Sequence, residues 1–192
     1  MIIKKIIDLC KKTSNATIYK TSEGQFISNG ISLYPITGLP IFDEATFCLT
    51  YDIPKGKIHF SEENRLPDRI DISDYTDEEV NCEMLPINLA YHGKVLIPVI
   101  TGTGIKFIDS RYLAPLKDND NMITICERES EDGGTYFVLK NGMLFAGIVM
   151  PFEVITLEFV NEVQRLASLC KVALENKQSS GIKGQESVFD KE

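Results

Sequence analysis

The order of secondary-structure signals in this sequence occurs twice, and this repetition constrains the fold more than any other feature. A helical pattern, three strand-like runs separated by a glycine turn and an Asn-Gly pair, and a closing proline follow one another in residues 1–35 and again in 105–151. Asn-Gly between β-rich runs is a strong hairpin signal, since both turn residues take positive φ in a type I′ turn. The sequence therefore predicts two copies of one supersecondary unit within a single domain, residues 1–151, with coincidence among common hairpin turns as the alternative.

The first unit opens with an amphipathic helix over residues 2–12. Its apolar face is built from residues at helical spacing: Ile2, Ile3, Ile6, Ile7 and Cys10. The opposite face is mainly basic: Lys4, Lys5, Lys11 and Lys12, with Asp8. Such a helix packs its apolar stripe on a sheet and leaves a lysine-rich side in water. Three strands are predicted after it, up to Pro35.

The second unit repeats this order with a shorter helix. Residues 110–117 read as a short helix broken near Pro115, and strand-like runs follow at 122–127, 136–139 and 143–150, up to Pro151. Residues 87–109 also read as strands, separated by His92-Gly and Thr101-Gly-Thr-Gly turns. The predicted class is α+β, with antiparallel strands dominating.

The net charge of −8 is concentrated in one place. Nine acids stand against two bases between Glu62 and Glu83, so the rest of the chain is nearly neutral and its first helix is basic. Few large apolar residues accompany these acids, which predicts a solvated acidic connection over 61–86 with one short helix near 74–80. Residues 43–51 fit either a helix capped by Asp43 or a strand, and both alternatives stay open.

The pattern of apolar residues near the end of the sequence predicts one long helix within residues 152–177. Its apolar positions cover more than the narrow stripe of a surface helix, so it is expected to dock against a sheet or a partner copy. Residues 178–192 are polar and contain glycine, which predicts a disordered tail.

Residues that would carry chemistry are sparse in this sequence. Five scattered cysteines and two isolated histidines predict neither a disulfide framework nor a metal site. Gly102-Thr-Gly104 lacks the helix of a dinucleotide loop, and no nucleotide, hydrolase or metalloprotease motif is present. We therefore expect a non-enzymatic protein without a cofactor. No apolar run approaches the ~18 residues of a membrane span, so a cytoplasmic protein is expected.

Two segments resemble bacterial DNA sliding clamps, the processivity factors of DNA polymerases. Residues 107–117 (FIDSRYLAPLK), the three strands after them and the closing Ile-Val-Met-Pro of 148–151 resemble the last repeat of a clamp. Residues 34–40 (YPITGLP) are similar to the aromatic-Pro element that follows a clamp hairpin. The resemblance covers about half the chain. It implies a clamp-like α+β fold and a phage or mobile-element relative of the family.

The resemblance also implies two binding surfaces. Clamp helices face duplex DNA and contact its phosphates without reading sequence, which assigns DNA binding to six basic residues: Lys4, Lys5, Lys11, Lys12, Arg111 and Lys117. The client-peptide pocket of the family is lined by its Val-Met-Pro end, which assigns peptide binding here to Val149, Met150, Pro151 and Phe152.

The chain departs from the clamp pattern after the closing proline. Glu153 stands where clamps often carry arginine, and a long helix follows. One chain supplies one clamp-like domain of the six in a ring, so ring formation would require a homo-oligomer. Three functions stay open: a DNA-associated replication accessory protein, a protein-interaction module of the same fold without DNA binding, and a small enzyme with an unfamiliar site.

Overall fold

A computed structural model describes residues 2–116 and 123–179 of the chain. The chain forms two compact units, one ending at Phe152 and one beginning at Glu153. The elements of the first unit are α1 (Ile3–Thr13), β1 (Asn15–Thr21), β2 (Gly24–Ser28), β3 (Ser32–Ile36), α2 (Glu44–Thr50), β4 (His59–Glu63), β5 (Val80–Met84), β6 (Leu89–Tyr91), β7 (Lys94–Thr101), β8 (Gly104–Asp109), a 3-10 helix (Ser110–Leu116), β9 (Ile123–Glu129), β10 (Thr135–Asn141) and β11 (Leu144–Val149). The second unit contains α3 (Leu157–Ser179).

The strands of the first unit form one mixed sheet of 11 strands in the order β4-β1-β2-β3-β11-β10-β9-β5-β7-β6, with β8 paired to β7. β4 runs parallel to β1, and the other pairs are antiparallel. The three-stranded groups β1-β2-β3 and β9-β10-β11 meet at their third strands, where Leu33 pairs with Ile148 and Ser32 with Val149. The predicted α+β class, with its helix at the end of the chain, is confirmed.

Alternating side chains give the sheet two apolar faces. On the first, which we call the helical face, strand residues such as Ile27, Tyr34 and Phe137 pack with the buried side of α1. On the second, which we call the strap face, the buried residues are Phe26, Leu33, Tyr136, Val138 and Ile148. Consecutive strand residues therefore serve opposite layers, which explains why the strand runs are apolar almost throughout.

The Asn-Gly hairpins occur where they are predicted, but their turn type is different. Gly30 and Gly142 have φ of 87° and 64°, whereas neither preceding asparagine has positive φ. In the first hairpin the Asn29 side-chain oxygen accepts hydrogen bonds from the backbone of Ile31 at 3.1 Å and of Ser32 at 2.9 Å. The asparagine thus shapes the turn through its side chain, which removes the need for a left-handed backbone at that position.

Residues 43–51, left open between helix and strand, form α2. Asp43 caps it as the helical alternative requires, because its Oδ1 accepts from the Thr46 N–H at 2.7 Å. The aromatic ring of Phe47 is buried on the helical face beside Phe42.

The prediction for the acidic segment 61–86 is corrected. It contains the end of β4 and all of β5, and the short helix expected near 74–80 does not form. Its residues 64–79, which we call the acidic strap, cross the strap face, where Leu66, Ile70 and Ile72 pack against the buried residues. The few apolar residues of the segment thus pack on the sheet, while most of its acids are exposed to solvent.

The predicted helix near the C-terminus is α3, and the predicted tail 178–192 lies outside the described residues beyond Ser179. None of the helices in the described ranges combines the length and the apolarity that a bilayer span requires.

Candidate nucleic-acid interface

Two helical elements lie beside each other on the helical face: α1 and the 3-10 helix. The N–H of Ile2 donates to the carbonyl of Pro115 at 2.9 Å, and Tyr112 and Leu113 enter the same core cluster as Ile6 and Ile7. The hydroxyl of Tyr34 on β3 donates to the carbonyl of Tyr112 at 2.6 Å. The helix that precedes each three-stranded group is therefore fixed to the same side of one sheet.

α1 directs its lysines away from the core. Lys4, Lys5 and Lys12 are exposed, while Lys11 is partly covered and donates from Nζ to the carbonyl of Tyr51 at 3.1 Å. Lys11 and Lys12 also occupy the last turn, where a positive charge interacts favourably with the helix dipole. The structure thus brings the four predicted lysines together on one outward surface.

Arg111 is engaged with a carboxylate of its own chain. Its Nε lies 3.0 Å from each carboxylate oxygen of Asp109, whose side chain is only 1% exposed. These hydrogen bonds raise the pKa of the guanidinium, and burial opposes that effect. The arginine neutralises a buried acid, so it contributes less free positive charge than the sequence suggests. Lys117, the sixth predicted residue, lies outside the described residues.

The four residues assigned to peptide binding do not share one pocket. Val149 is fully buried on the helical face. Met150 is 38% exposed and lines a cavity on the strap face. Phe152 donates its N–H to the carbonyl of Phe107 at 2.7 Å, and its ring lies 4.2 Å from Lys94 Nζ. Pro151 between them is half-buried and lines no part of that cavity.

The cavity beside Met150 has a volume of about 220 Å³ and lies at the β3–β11 junction. Its apolar lining includes Tyr19, Ile31, Leu33, Ile70, Ile148 and Met150. Arg69, Ser130 and Asp132 add polar groups to the lining. A mainly apolar lining with a few polar groups is typical of ligand and peptide sites. The sequence analysis did not assign strap residues to this cavity, because no local pattern indicates that the strap crosses this strand junction.

A buried ion cluster fastens the acidic strap to the strap face. Glu79 accepts from Arg128 at 2.6 Å and also from Lys140 Nζ, and the side chains of both bases are less than one-tenth exposed. Arg128 further donates to the backbone carbonyls of Asp71 at 3.0 Å and Ser73 at 2.8 Å. Burial raises the pKa of Glu79, but the hydrogen bonds from its two partners outweigh burial, and the pKa lies below its ordinary value.

Metal binding requires clustered ligands, and nucleophilic catalysis by cysteine requires an ionised thiol. Within residues 2–116 and 123–179, no three His, Cys, Asp or Glu side chains are arranged to hold a metal ion. Burial raises the pKa of the thiols of Cys10 to about 12 and of Cys82 to about 11, so neither is a thiolate near neutral pH.

Comparison with protein-family models, with curated proteins and with solved structures gave no match. The resemblance to sliding clamps therefore stays a prediction from the short sequence motifs.

Proposed function

We propose that this chain is a clamp-like protein whose helical face contacts the phosphate backbone of duplex DNA. The observation that carries the proposal is the placement of α1 beside the 3-10 helix on one face of a continuous sheet, with exposed lysines on the outer side of α1. A rigid row of lysines on a helix suits a regular line of phosphates.

The strand order supports a clamp-like origin for the two three-stranded groups and the helices that precede them. Reading outward from the β3–β11 junction gives β3-β2-β1 on one side and β11-β10-β9 on the other. Each group follows a helix on the helical face, as two copies related by a pseudo-two-fold axis would. The copies differ in detail, because the second helix is a 3-10 helix and only the second is preceded by a strand, β8.

The distribution of charge makes DNA binding compatible with a net charge of −8. Most of the excess acid lies between Glu62 and Glu83, in the segment that includes the acidic strap on the opposite side of the sheet. At physiological ionic strength, exposed charges more than about 8 Å apart are largely screened. The lysines of α1 therefore act on a nearby phosphate with little opposition from the strap.

A charge-reversal pair tests this proposal. We expect Lys5→Glu with Lys12→Glu to weaken binding to duplex DNA at low salt and to reduce the slope of log affinity against log salt by about 2, at ~0.9 per lost phosphate contact. The matched control is Arg65→Glu with Arg69→Glu, which changes the net charge equally on the strap side. Equal loss of affinity in both variants would contradict the proposal, since it would show a response to net charge alone.

The cavity beside Met150 favours a second candidate function, binding of an apolar peptide segment. A peptide selected from a display library by the wild-type chain should lose affinity for Met150→Asp, because a charge would be desolvated in the apolar lining. Met143→Asp is the matched control, since Met143 is 85% exposed at the β10–β11 turn and lies away from the cavity. Fluorescence anisotropy of the labelled peptide measures its affinity for both variants. Unchanged affinity in Met150→Asp would exclude the cavity as the peptide site.

A further inference from the structure

The two Asn-Gly pairs lie at matching turns of the two three-stranded groups, but their surroundings differ. Asn29 precedes Gly30 between β2 and β3, and Asn141 precedes Gly142 between β10 and β11. Neither asparagine lines the cavity beside Met150 or belongs to the helical elements proposed to contact DNA. An asparagine carboxamide is open to attack by the next backbone nitrogen when glycine follows, because glycine has no Cβ to shield that nitrogen.

The side chain of Asn29 is buried and held by hydrogen bonds. The residue is 4% exposed. Its Oδ1 accepts from the N–H of Ile31 at 3.1 Å, from the N–H of Ser32 at 2.9 Å and from the hydroxyl of Ser32 at 3.0 Å. Rotation of the carboxamide toward the nitrogen of Gly30 would break these hydrogen bonds and leave buried donors unpaired. The fold therefore protects the first pair.

The second pair lies at a hairpin tip that is open to solvent. Asn141, Gly142 and the two residues that follow are all exposed. The ladder pairs Asn141 with Leu144, so Gly142 lies in the loop and outside the ladder. The pairing of β10 with β11 is also irregular directly before the turn, between Leu139 and Lys140. Such an irregularity disrupts the ladder locally, and exposed hairpin tips open at a low free-energy cost.

We propose that Asn141 is a site of spontaneous deamidation in the folded chain. The backbone nitrogen of Gly142 attacks Cγ of Asn141 and forms a new C–N bond. The bond from Cγ to Nδ2 breaks, and the side-chain nitrogen leaves as ammonia together with the proton of the backbone N–H. Water then opens the cyclic imide at one of its two carbonyls, which gives either aspartate or isoaspartate.

Both products change the turn between β10 and β11. Each replaces a neutral carboxamide by a carboxylate and so adds negative charge at an exposed position. The isoaspartyl product also carries the main chain through the former side chain, which lengthens the backbone by a methylene group. Its free α-carboxylate is the group that isoaspartyl methyltransferases modify, so this product makes the turn a substrate for that class of enzyme.

Mass spectrometry of proteolytic peptides tests the proposal after the folded full chain has been incubated in mildly alkaline buffer. One sample reports on both asparagines. We expect product at Asn141 to accumulate at least about 10-fold faster than at Asn29, whose reaction first requires the loss of several buried hydrogen bonds. Labelling by an isoaspartyl methyltransferase with radioactive S-adenosylmethionine distinguishes isoaspartate from aspartate. Asn141→Gln provides the control at an exposed position and should lose the product of this turn.

The same chain in denaturant shows whether the fold causes the difference. Both pairs should then react at similar rates, because each is followed by glycine and neither is protected. Equal rates in the folded chain, or faster reaction at Asn29, would overturn the proposal. An Asn141 that reacts in denaturant but not in the folded chain would also overturn it, as would a difference between the two pairs that persists after unfolding.

Discussion

Replacing Glu79 by alanine is expected to lower the free energy of unfolding by about 3–5 kcal/mol, the usual cost of removing one partner from a buried ion pair. The side chains of Arg128 and Lys140 are 3% and 7% exposed and share this carboxylate. Without it, two positive charges would remain close together in a region that excludes water. The acidic strap would also lose its ion pairs with the strap face.

Chemical denaturation measures this change, and Glu78→Ala provides the matched control. Glu78 is exposed and precedes Glu79 directly in the strap. Removal of an exposed side chain usually changes stability by no more than about 0.5 kcal/mol. Similar losses in the two variants would contradict the role that we assign to the buried cluster.

The pH dependence of stability independently tests the contribution of Glu79 to the same cluster. The pKa of Glu79 lies below its ordinary value of 4.5 in the folded chain. Its stabilising contribution is therefore complete above the unfolded-state pKa and is lost as the pH falls through the folded-state pKa. Below about pH 4.5 the wild-type chain should lose more stability than Glu79→Gln, which has no proton to gain at this position. Parallel losses in the two chains would contradict this assignment.

Gly147→Ala is expected to destabilise the chain by about 1–3 kcal/mol, the range observed for overpacked sites. A Cβ at this position would lie 2.8 Å from Cδ1 of Tyr34 and 2.9 Å from the carbonyl oxygen of Leu33. The carbonyl belongs to β3, so the clash can be relieved only by separating β3 from β11. Those two strands join the three-stranded groups, and their separation would weaken the sheet at its central junction.

Gly102→Ala is the matched control for the close approach at Gly147. A Cβ at Gly102 would meet the nearest atom of Val80 at 3.4 Å, an ordinary van der Waals contact. We expect a change within about 1 kcal/mol, because alanine also restricts the unfolded chain. Equal stability of the Gly147 and Gly102 variants would show that the β3–β11 junction tolerates an added methyl group.

Local sequence patterns predicted many of the elements that precede Phe152. The helical period of residues 2–12 defined α1 and its lysine side, and the glycine turns located the strands of both three-stranded groups. These elements depend on neighbours in sequence, such as the capping of α2 by Asp43. The turn type predicted at Asn29 was wrong, because a hydrogen bond to the asparagine side chain replaced the expected backbone conformation.

Long-range pairing explains most of what the sequence did not reveal. Residues 61–86 were interpreted as a solvated connection because they contain few large apolar residues. The side chain of Glu79 is nevertheless mostly covered, because it pairs with two bases more than 40 positions further along the chain. The engagement of Arg111 with Asp109 requires the buried position of that acid, which the local pattern does not indicate. The cavity beside Met150 likewise combines residues of β3, β10, β11, the β9–β10 turn and the strap.

The proposed binding of DNA to the helical face is tested most directly by mapping amide chemical shifts of the full chain during titration with a short duplex at low salt. We predict that the shifts concentrate in Ile3–Thr13 and Ser110–Leu116, decline as salt is raised and leave the acidic strap unchanged. Shifts confined to other surfaces, or no shifts at saturating duplex, would contradict DNA binding by this face.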